Sequence, residues 1–264
     1  MVIGHVGSFA PIDEPPIGSA KGARLRLSPA WRRRYGRSRP PGRLAPMTDP
    51  VPLDDAALAD SVIPEGADPF ALFEEWFAAA HVGEPNDPNA MALATATPTG
   101  APSVRMVLLK GHGAGEIAGG GFTFFTNAQS RKGAEIRANM QAALLFHWKS
   151  LRRQIRIEGP LSEVSPQRAD AYFHSRPYKS QVGSAASDQS RPLADRGTYL
   201  ARVQEIWAAH EAEGKVPRPP HWTGFTLSPR RIEFWIDRPN RLHDRRLFTR
   251  EGPDAPWHDT LLYP

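Results

Sequence analysis

Residues 90–110 read AMALATATPTGAPSVRMVLLK. Two apolar, β-branched runs, 90–97 and 103–110, flank the turn triplet Pro98-Thr99-Gly100 and predict an antiparallel hairpin. The pattern returns in AALLFHW (142–148) and LRRQIRIEGPL (151–161), the latter alternating polar and apolar residues. GFTFFTN (121–127) adds a strand, and the C-terminal part supplies further strands at 223–228, 231–237, 241–248 and 257–262. Repeated hairpins with helices between them predict a mostly β fold with peripheral helices, a closed or split β-barrel.

The helices announce themselves by their caps. Asp68 as N-cap and Pro69 at the first helical position open one, and Phe70, Phe73, Trp76, Phe77 and Ala80 give it an aromatic face. Ser130 caps a short helix, SRKGAEIRANM (130–140). Ser165-Pro166 opens a third carrying Tyr172 and Phe173, and a longer one runs over 193–213 until the Pro-rich 216–220 breaks it. Two segments read as loops: GHGAGEIAGGG (111–121), which matches neither the Walker nor the dinucleotide-binding spacing, and HSRPYKSQVGSAASDQSRP (174–192).

Composition narrows the function classes. The 264 residues include no cysteine, which excludes disulfides, thiolate metal sites and thiol nucleophiles. No run of eighteen apolar residues exists, so no membrane span is expected, and a cytoplasmic protein fits. The net charge of +5 is unevenly placed: residues 1–46 hold nine Lys or Arg against Asp13 and Glu14. The remainder is therefore slightly acidic, and a body built to bind nucleic acid is disfavoured. Residues 1–59 are expected to be a disordered, basic, Pro-rich extension, and 60–264 one domain. The extension has the Arg-rich character of a transit peptide; the plainer alternative makes Met47 the natural start.

Several groups suit anions, each with a bland alternative. Arg105 and Lys110 bracket an apolar strand and could clamp phosphate or simply be solvated. Being five apart they face opposite sides, so sharing a pocket requires a bulge, the strand's end or a second subunit. Ser130-Arg131-Lys132 starts a helix, where free amides and the dipole favour phosphate, or forms an ordinary cap. The 174–192 segment offers Arg176, Lys179, Ser180, Gln189 and Ser190, as a functional loop or an exposed linker would. Gln154 either points outward or reads a ligand's edge. In IEFWIDRPNRLHDR (232–245), an extended strand would line up Arg241, His243 and Arg245 on one face, a cationic row or a solvated edge. His243 and Asp244 would then point apart, so they form no catalytic pair. The nine histidines show no metal-ligand spacing, and no G-x-S-x-G elbow is present.

In order and at compatible spacing, RMVLLK, FFTN with SRK, RQIRIEG, YFHSRP with SQ, DQS, IEFW and RLHDR make the sequence resemble the pyridoxine/pyridoxamine 5′-phosphate oxidase family from about Asp68 to Pro264. Each motif alone is weak, whereas the series is specific. The resemblance implies an FMN-binding split barrel, a homodimer with flavin at the subunit interface. FMN contacts would come from Arg105, Met106, Val107, Leu108, Leu109, Lys110, Phe125, Thr126, Arg131 and Lys132, completed by Gln154, Gln189, Ser190, Trp235 and Arg245. Lys110, Tyr172, Arg176 and Ser180 would hold the substrate's phosphate, with the catalytic pair Arg241 and His243 over its ring. The implied reaction oxidises pyridoxamine or pyridoxine 5′-phosphate to pyridoxal 5′-phosphate, with O2 as acceptor and hydrogen peroxide released. No metal, nucleic acid or membrane is implied.

Two departures from the family pattern stand out. Residues 47–67 lack the Arg-rich, Tyr-bearing lid motif, and WRRRYGR (31–37) lies too far upstream to replace it. The chain also ends LLYP where an Arg commonly precedes the apolar pair. Alternatives from other classes are a phenazine-biosynthesis-like split-barrel oxidase, a non-catalytic flavin- or haem-binding barrel, and a nucleic-acid binder acting through its basic tail.

Overall fold

Asp68 opens the first helix as expected. Its carboxylate accepts the amides of Phe70 and Ala71 at 2.8 and 2.9 Å, and Pro69 follows at the start of α1 (Pro69–Gly83). In this computed structural model residues 62–264 are described, all within one compact unit, Pro52–Pro264. The expected basic extension 1–59 lies outside the described residues, as does the segment 31–37.

The strands are β1 (Ala90–Ala96), β2 (Pro102–Leu108), β3 (Gly111–Gly113), β4 (Gly121–Asn127), β5 (Gln141–Trp148), β6 (Arg153–Glu163), β7 (Trp222–Leu227), β8 (Arg231–Ile236), β9 (Asp244–Thr249) and β10 (His258–Leu261). Every pairing is antiparallel, in the order β10-β9-β8-β6-β5-β1-β2, with a branch from β6 through β7 and β4 to β3. The two predicted hairpins are β1–β2 and β5–β6.

Long β6 turns the corner of the half-barrel. Its first half pairs with β8, whereas Leu161–Glu163 pairs with β7. Gly159 lies between, where a Cβ would come within 2.0 Å of the Ser228 carbonyl oxygen. Only glycine lets the two backbones approach so closely as the strand changes sheets.

Inside the curl, α1 lays Phe73 and Trp76 onto the sheet. The Phe73 ring meets Phe122 and Phe146 edge-on at 4.9 and 5.4 Å, and Trp76 meets Phe234 at 5.0 Å. Such edge-to-face contacts add to burial that is complete for Phe73. Helix α2 (Arg131–Asn139) buries Ile136 in this same core. A satellite cluster of Phe173, Val182, Val216 and Trp222 joins three further helices to β7, namely α3 (Pro166–Ser175), α4 (Tyr178–Ala185) and α5 (Arg196–His210).

Three expectations need correction. The 174–192 segment is not all loop: it contains α4, which starts after Pro177 and buries only Gln181 and Val182, too little apolar periodicity to betray a helix. The Gly-rich 111–121 segment begins with β3 and is pinned by Glu116, which accepts from Thr123 and pairs with Arg168. The strand expected over 241–248 starts only at Asp244. Pro239–Arg241 forms a 3-10 turn, with Asn240 and Arg241 at φ of 56° and 64°. Pro239 cannot donate to a ladder, and asparagine is among the few residues that enter the left-handed region readily. Arg241 and His243 therefore do not share a strand face with Arg245.

Candidate active site

A cleft of about 990 Å³ opens between β2, β4 and the α2–α4 helices. Strand β2 supplies Arg105, Met106, Val107 and Leu108, with Lys110 just beyond its end, and β4 supplies Phe125 and Thr126. Arg131 and Lys132 come from α2, Tyr172 and Arg176 from α3 and its C-cap, Ser180 from α4, and Gln189 and Ser190 from the loop before α5. Arg105 and Lys110 share this cleft because Lys110 lies past the regular strand, one of the three routes the alternation left open. Leu109 departs from expectation: its side chain is in the core.

The cleft has two cationic ends. At the first, Ser130 caps α2 by accepting the Gly133 amide, and Gly133 packs so tightly that a Cβ would lie 2.4 Å from Ala128 backbone. This fit seats the helix start beside the end of β4. Lys132 donates to Ser130 Oγ at 3.2 Å and to Gln189 Oε1. Burial, aided by the Arg105 charge, lowers the Lys132 ammonium to about 8. Burial alone would raise the Glu135 carboxyl, yet hydrogen bonds from Ser103, Thr95 and Arg131 hold it at about 2.

At the other end, Arg176 lies 5.1 Å over the Trp222 ring and donates through Nη2 to the Ser180 carbonyl at 3.0 Å and Ser184 Oγ at 2.9 Å. Its Nη1 is buried without a protein acceptor, and burial depresses the guanidinium. A buried donor left free in a cleft suits an incoming anion. Tyr172 stacks on Phe125 at 4.1 Å, and Phe125 on Trp222 at 5.3 Å, an aromatic wall between the two ends.

The remaining predicted residues lie elsewhere. A second cleft, about 250 Å³, is lined by Leu145, Gln154, Arg156, Glu233, Trp235 and Arg245. Gln154 pairs with Trp235, and Trp235 with Arg245, so three adjacent strands place them side by side. The Trp235 ring is 4.7 Å from that of His243. His243 Nδ1 accepts the Arg238 amide at 3.2 Å and lies 3.1 Å from Asp237 Oδ1. Arg241 is exposed on its turn. The two clefts have no residue in common.

Sequence reasoning missed several cleft residues. Ser184 was hidden with α4, Tyr199 lay on the expected 193–213 helix with no signal of its own, and Trp222 fell just outside the expected 223–228 strand. Glu135 did leave a signal, four residues after Arg131 on one helix face.

Residues 77–210 match the family model described as pyridoxamine 5′-phosphate oxidase, and residues 222–264 the pyridoxine 5′-phosphate oxidase C-terminal dimerisation region. The chain belongs to the pyridoxine/pyridoxamine 5′-phosphate oxidase family. Among curated relatives, the pyridoxine/pyridoxamine 5′-phosphate oxidase of Erythrobacter litoralis is 67% identical over 78% of this chain and 95% of its own. That of Novosphingobium aromaticivorans is 62% identical over 75% and 94%. Among solved structures, PhzG from Burkholderia lata 383 in complex with tetrahydrophenazine-1-carboxylic acid has a TM-score of 0.69 at 32% identity, covering 77% of this chain and 95% of that one. A pyridoxamine 5′-phosphate oxidase-related, FMN-binding protein from Nostoc punctiforme shares the fold, with a TM-score of 0.59 at 17% identity over 75% and 99%. The motif series thus identified the oxidase family and its split barrel correctly. The dimerisation region holds Trp235, Arg241, His243 and Arg245, which supports a homodimer. Among the described residues, no helix is long and apolar enough to cross a membrane.

Proposed function

We propose that the chain is an FMN-dependent oxidase converting pyridoxamine and pyridoxine 5′-phosphates to pyridoxal 5′-phosphate in the cytoplasm. It works as a homodimer in which one protomer's large cleft is closed by the partner's second cleft. The observation that carries this reading is the pair of cationic ends in one cleft. Two phosphorylated molecules, cofactor and substrate, need two anion seats, and the volume suits a flavin with a small ring beside it.

The residues present fit FMN. Arg105, Arg131, Lys132 and the α2 N-terminus would hold its phosphate, with Gln189 and Ser190 beside them. Met106, Val107 and Leu108 offer the edge of the sheet to the rest of the molecule, and Gln154, Trp235 and Arg245 would meet it from the partner. When bound, FMN would take a hydride equivalent from the substrate's C4′ and pass the electrons to O2, giving hydrogen peroxide. Lys110, Tyr172, Arg176 and Ser180 would grip the substrate phosphate, positioning the reacting carbon from a distance. Arg241 would orient and electrostatically support the transfer, and His243 would anchor the substrate.

The dimer reading draws on the same strand. Val104, Met106 and Leu108 are 67%, 63% and 41% exposed on β2, at the end of the main sheet path. An apolar edge strand left in water invites a partner.

The likeness to PhzG favours a second reading, oxidation of a phenazine precursor that carries no phosphate. The free Arg176 donor and the more identical curated relatives argue for the phosphorylated substrates. To test the proposal, the purified protein is given FMN and then pyridoxamine 5′-phosphate under air. A flavin spectrum with release of aldehyde, ammonia and peroxide is expected. A protein that FMN cannot reconstitute, or that oxidises only the phenazine precursor, would overturn it.

A further inference from the structure

Helix α2 carries a buried acid for which the reaction outlined above has no role. Glu135 retains 6% of its exposure beneath the cationic end of the cleft. Thr95 Oγ1 donates to it at 2.5 Å, Ser103 Oγ donates more closely still, Arg131 Nε lies at 2.9 Å and Arg105 Nη2 at 3.3 Å. Thr95 and Ser103 are direct partners across the β1–β2 hairpin, so their hydroxyls meet at one point. Arg105, two residues on from Ser103, shares its strand face.

The two arginines are held differently. Arg105 is also tied through Nη1 to the Leu93 carbonyl at 3.0 Å and to Thr95 Oγ1 at 2.6 Å, so hairpin and acid together set its guanidinium. Arg131 is 65% exposed on the first helical turn, where a long side chain has many rotamers. A bond to a fixed carboxylate four residues on narrows them before any ligand arrives. Arg105, Arg131 and Lys132 also crowd three cations into one seat. A fully hydrogen-bonded carboxylate behind them offsets that repulsion without offering a free lone pair to an incoming anion.

We propose that Glu135 is a positioning residue for the flavin phosphate, aiming Arg105 and Arg131 at the anion without touching it. The inference rests on the reading that FMN places its phosphate at the α2 end of the cleft.

The test compares wild type, Glu135→Gln and Glu135→Ala as full-length, flavin-stripped proteins. Each is titrated with FMN and with riboflavin, which lacks the phosphate, by quenching of flavin fluorescence. Glu135→Ala is expected to weaken FMN binding about tenfold to a hundredfold, the range of charge-assisted hydrogen bonds, and to leave riboflavin within about twofold. The isosteric Glu135→Gln keeps the volume but loses the charge, and is expected to weaken FMN alone by about tenfold. If both flavins weaken together in Glu135→Gln, or if neither variant changes FMN binding, the inference is overturned. A wild type that binds riboflavin as tightly as FMN would instead overturn the phosphate placement beneath it.

Discussion

Arg245 directs two guanidinium nitrogens at one oxygen of Glu233, with Nε at 2.9 Å and Nη2 at 2.7 Å from Oε1. Its Nη1 is held by the Tyr263 carbonyl at 2.9 Å, and the other Glu233 oxygen accepts from Arg156. The second cleft is therefore pre-set around a buried acid before a partner approaches. The C-terminal residues contribute here through backbone. Glu233→Gln should weaken FMN binding by about tenfold, the loss of one charge-assisted bond, while melting within a few degrees of wild type. Isothermal titration with FMN, alongside thermal melts, checks this.

Lys132 gives the proposed flavin seat a pH limit. Its ammonium, lowered to about 8, is charged below that pH and neutral above it. The anion needs the charged form, so FMN affinity should hold through neutrality and fall above about pH 8, by at most about tenfold per pH unit for one proton. In the stripped protein the sign is opposite. Folding below pH 8 carries the cost of burying this charge, and raising the pH towards the unfolded lysine value relieves it. Lys132→Arg should extend the affinity plateau to higher pH, measured as FMN dissociation constants from pH 7 to 10.

Arg241 is not among the residues lining the proposed flavin seat and is exposed on a turn at positive φ. Arg241→Ala should lower turnover by about a hundredfold, the scale of a mispositioned reactant, with bound FMN per chain unchanged. Steady-state rates and the flavin-to-protein absorbance ratio separate the two. Equal loss of both would make the residue structural or a flavin contact.

The apolar edge of β2 has its own test. Met106→Glu places a charge on a side chain 63% exposed in the single chain, so folding should be little affected. In a dimer that buries this edge, the charge should produce monomers that do not retain FMN. Sedimentation velocity with absorbance at the flavin band reads both.

Much of this was legible in the residues, and the exceptions have physical causes. Alternation gave the hairpins, and caps gave α1, α2 and α3, because Asp68, Ser130 and Ser165 act through local bonds visible in sequence. Helix α4 was not legible, since it buries two side chains and is defined by packing on the satellite core. The Arg-x-His-x-Arg row failed because alternation presumes extended backbone, and Asn240 and Arg241 leave it. That Gln154, Trp235 and Arg245 form a wall of their own depended on strand register, which no local pattern specifies. Glu135 was readable as a helix-spaced partner of Arg131, but its contacts with Thr95 and Ser103 required the hairpin.

The central claim, a site built from two chains, is tested most directly by subunit mixing. Arg176→Ala damages the large cleft and Arg241→Ala the opposing wall, so each homodimer should form little pyridoxal 5′-phosphate. A purified heterodimer of the two variants would carry one fully damaged and one intact site, and should form product at about half the wild-type rate per dimer, as two-fold symmetry requires. A heterodimer no more active than either parent would mean that both walls serve one chain.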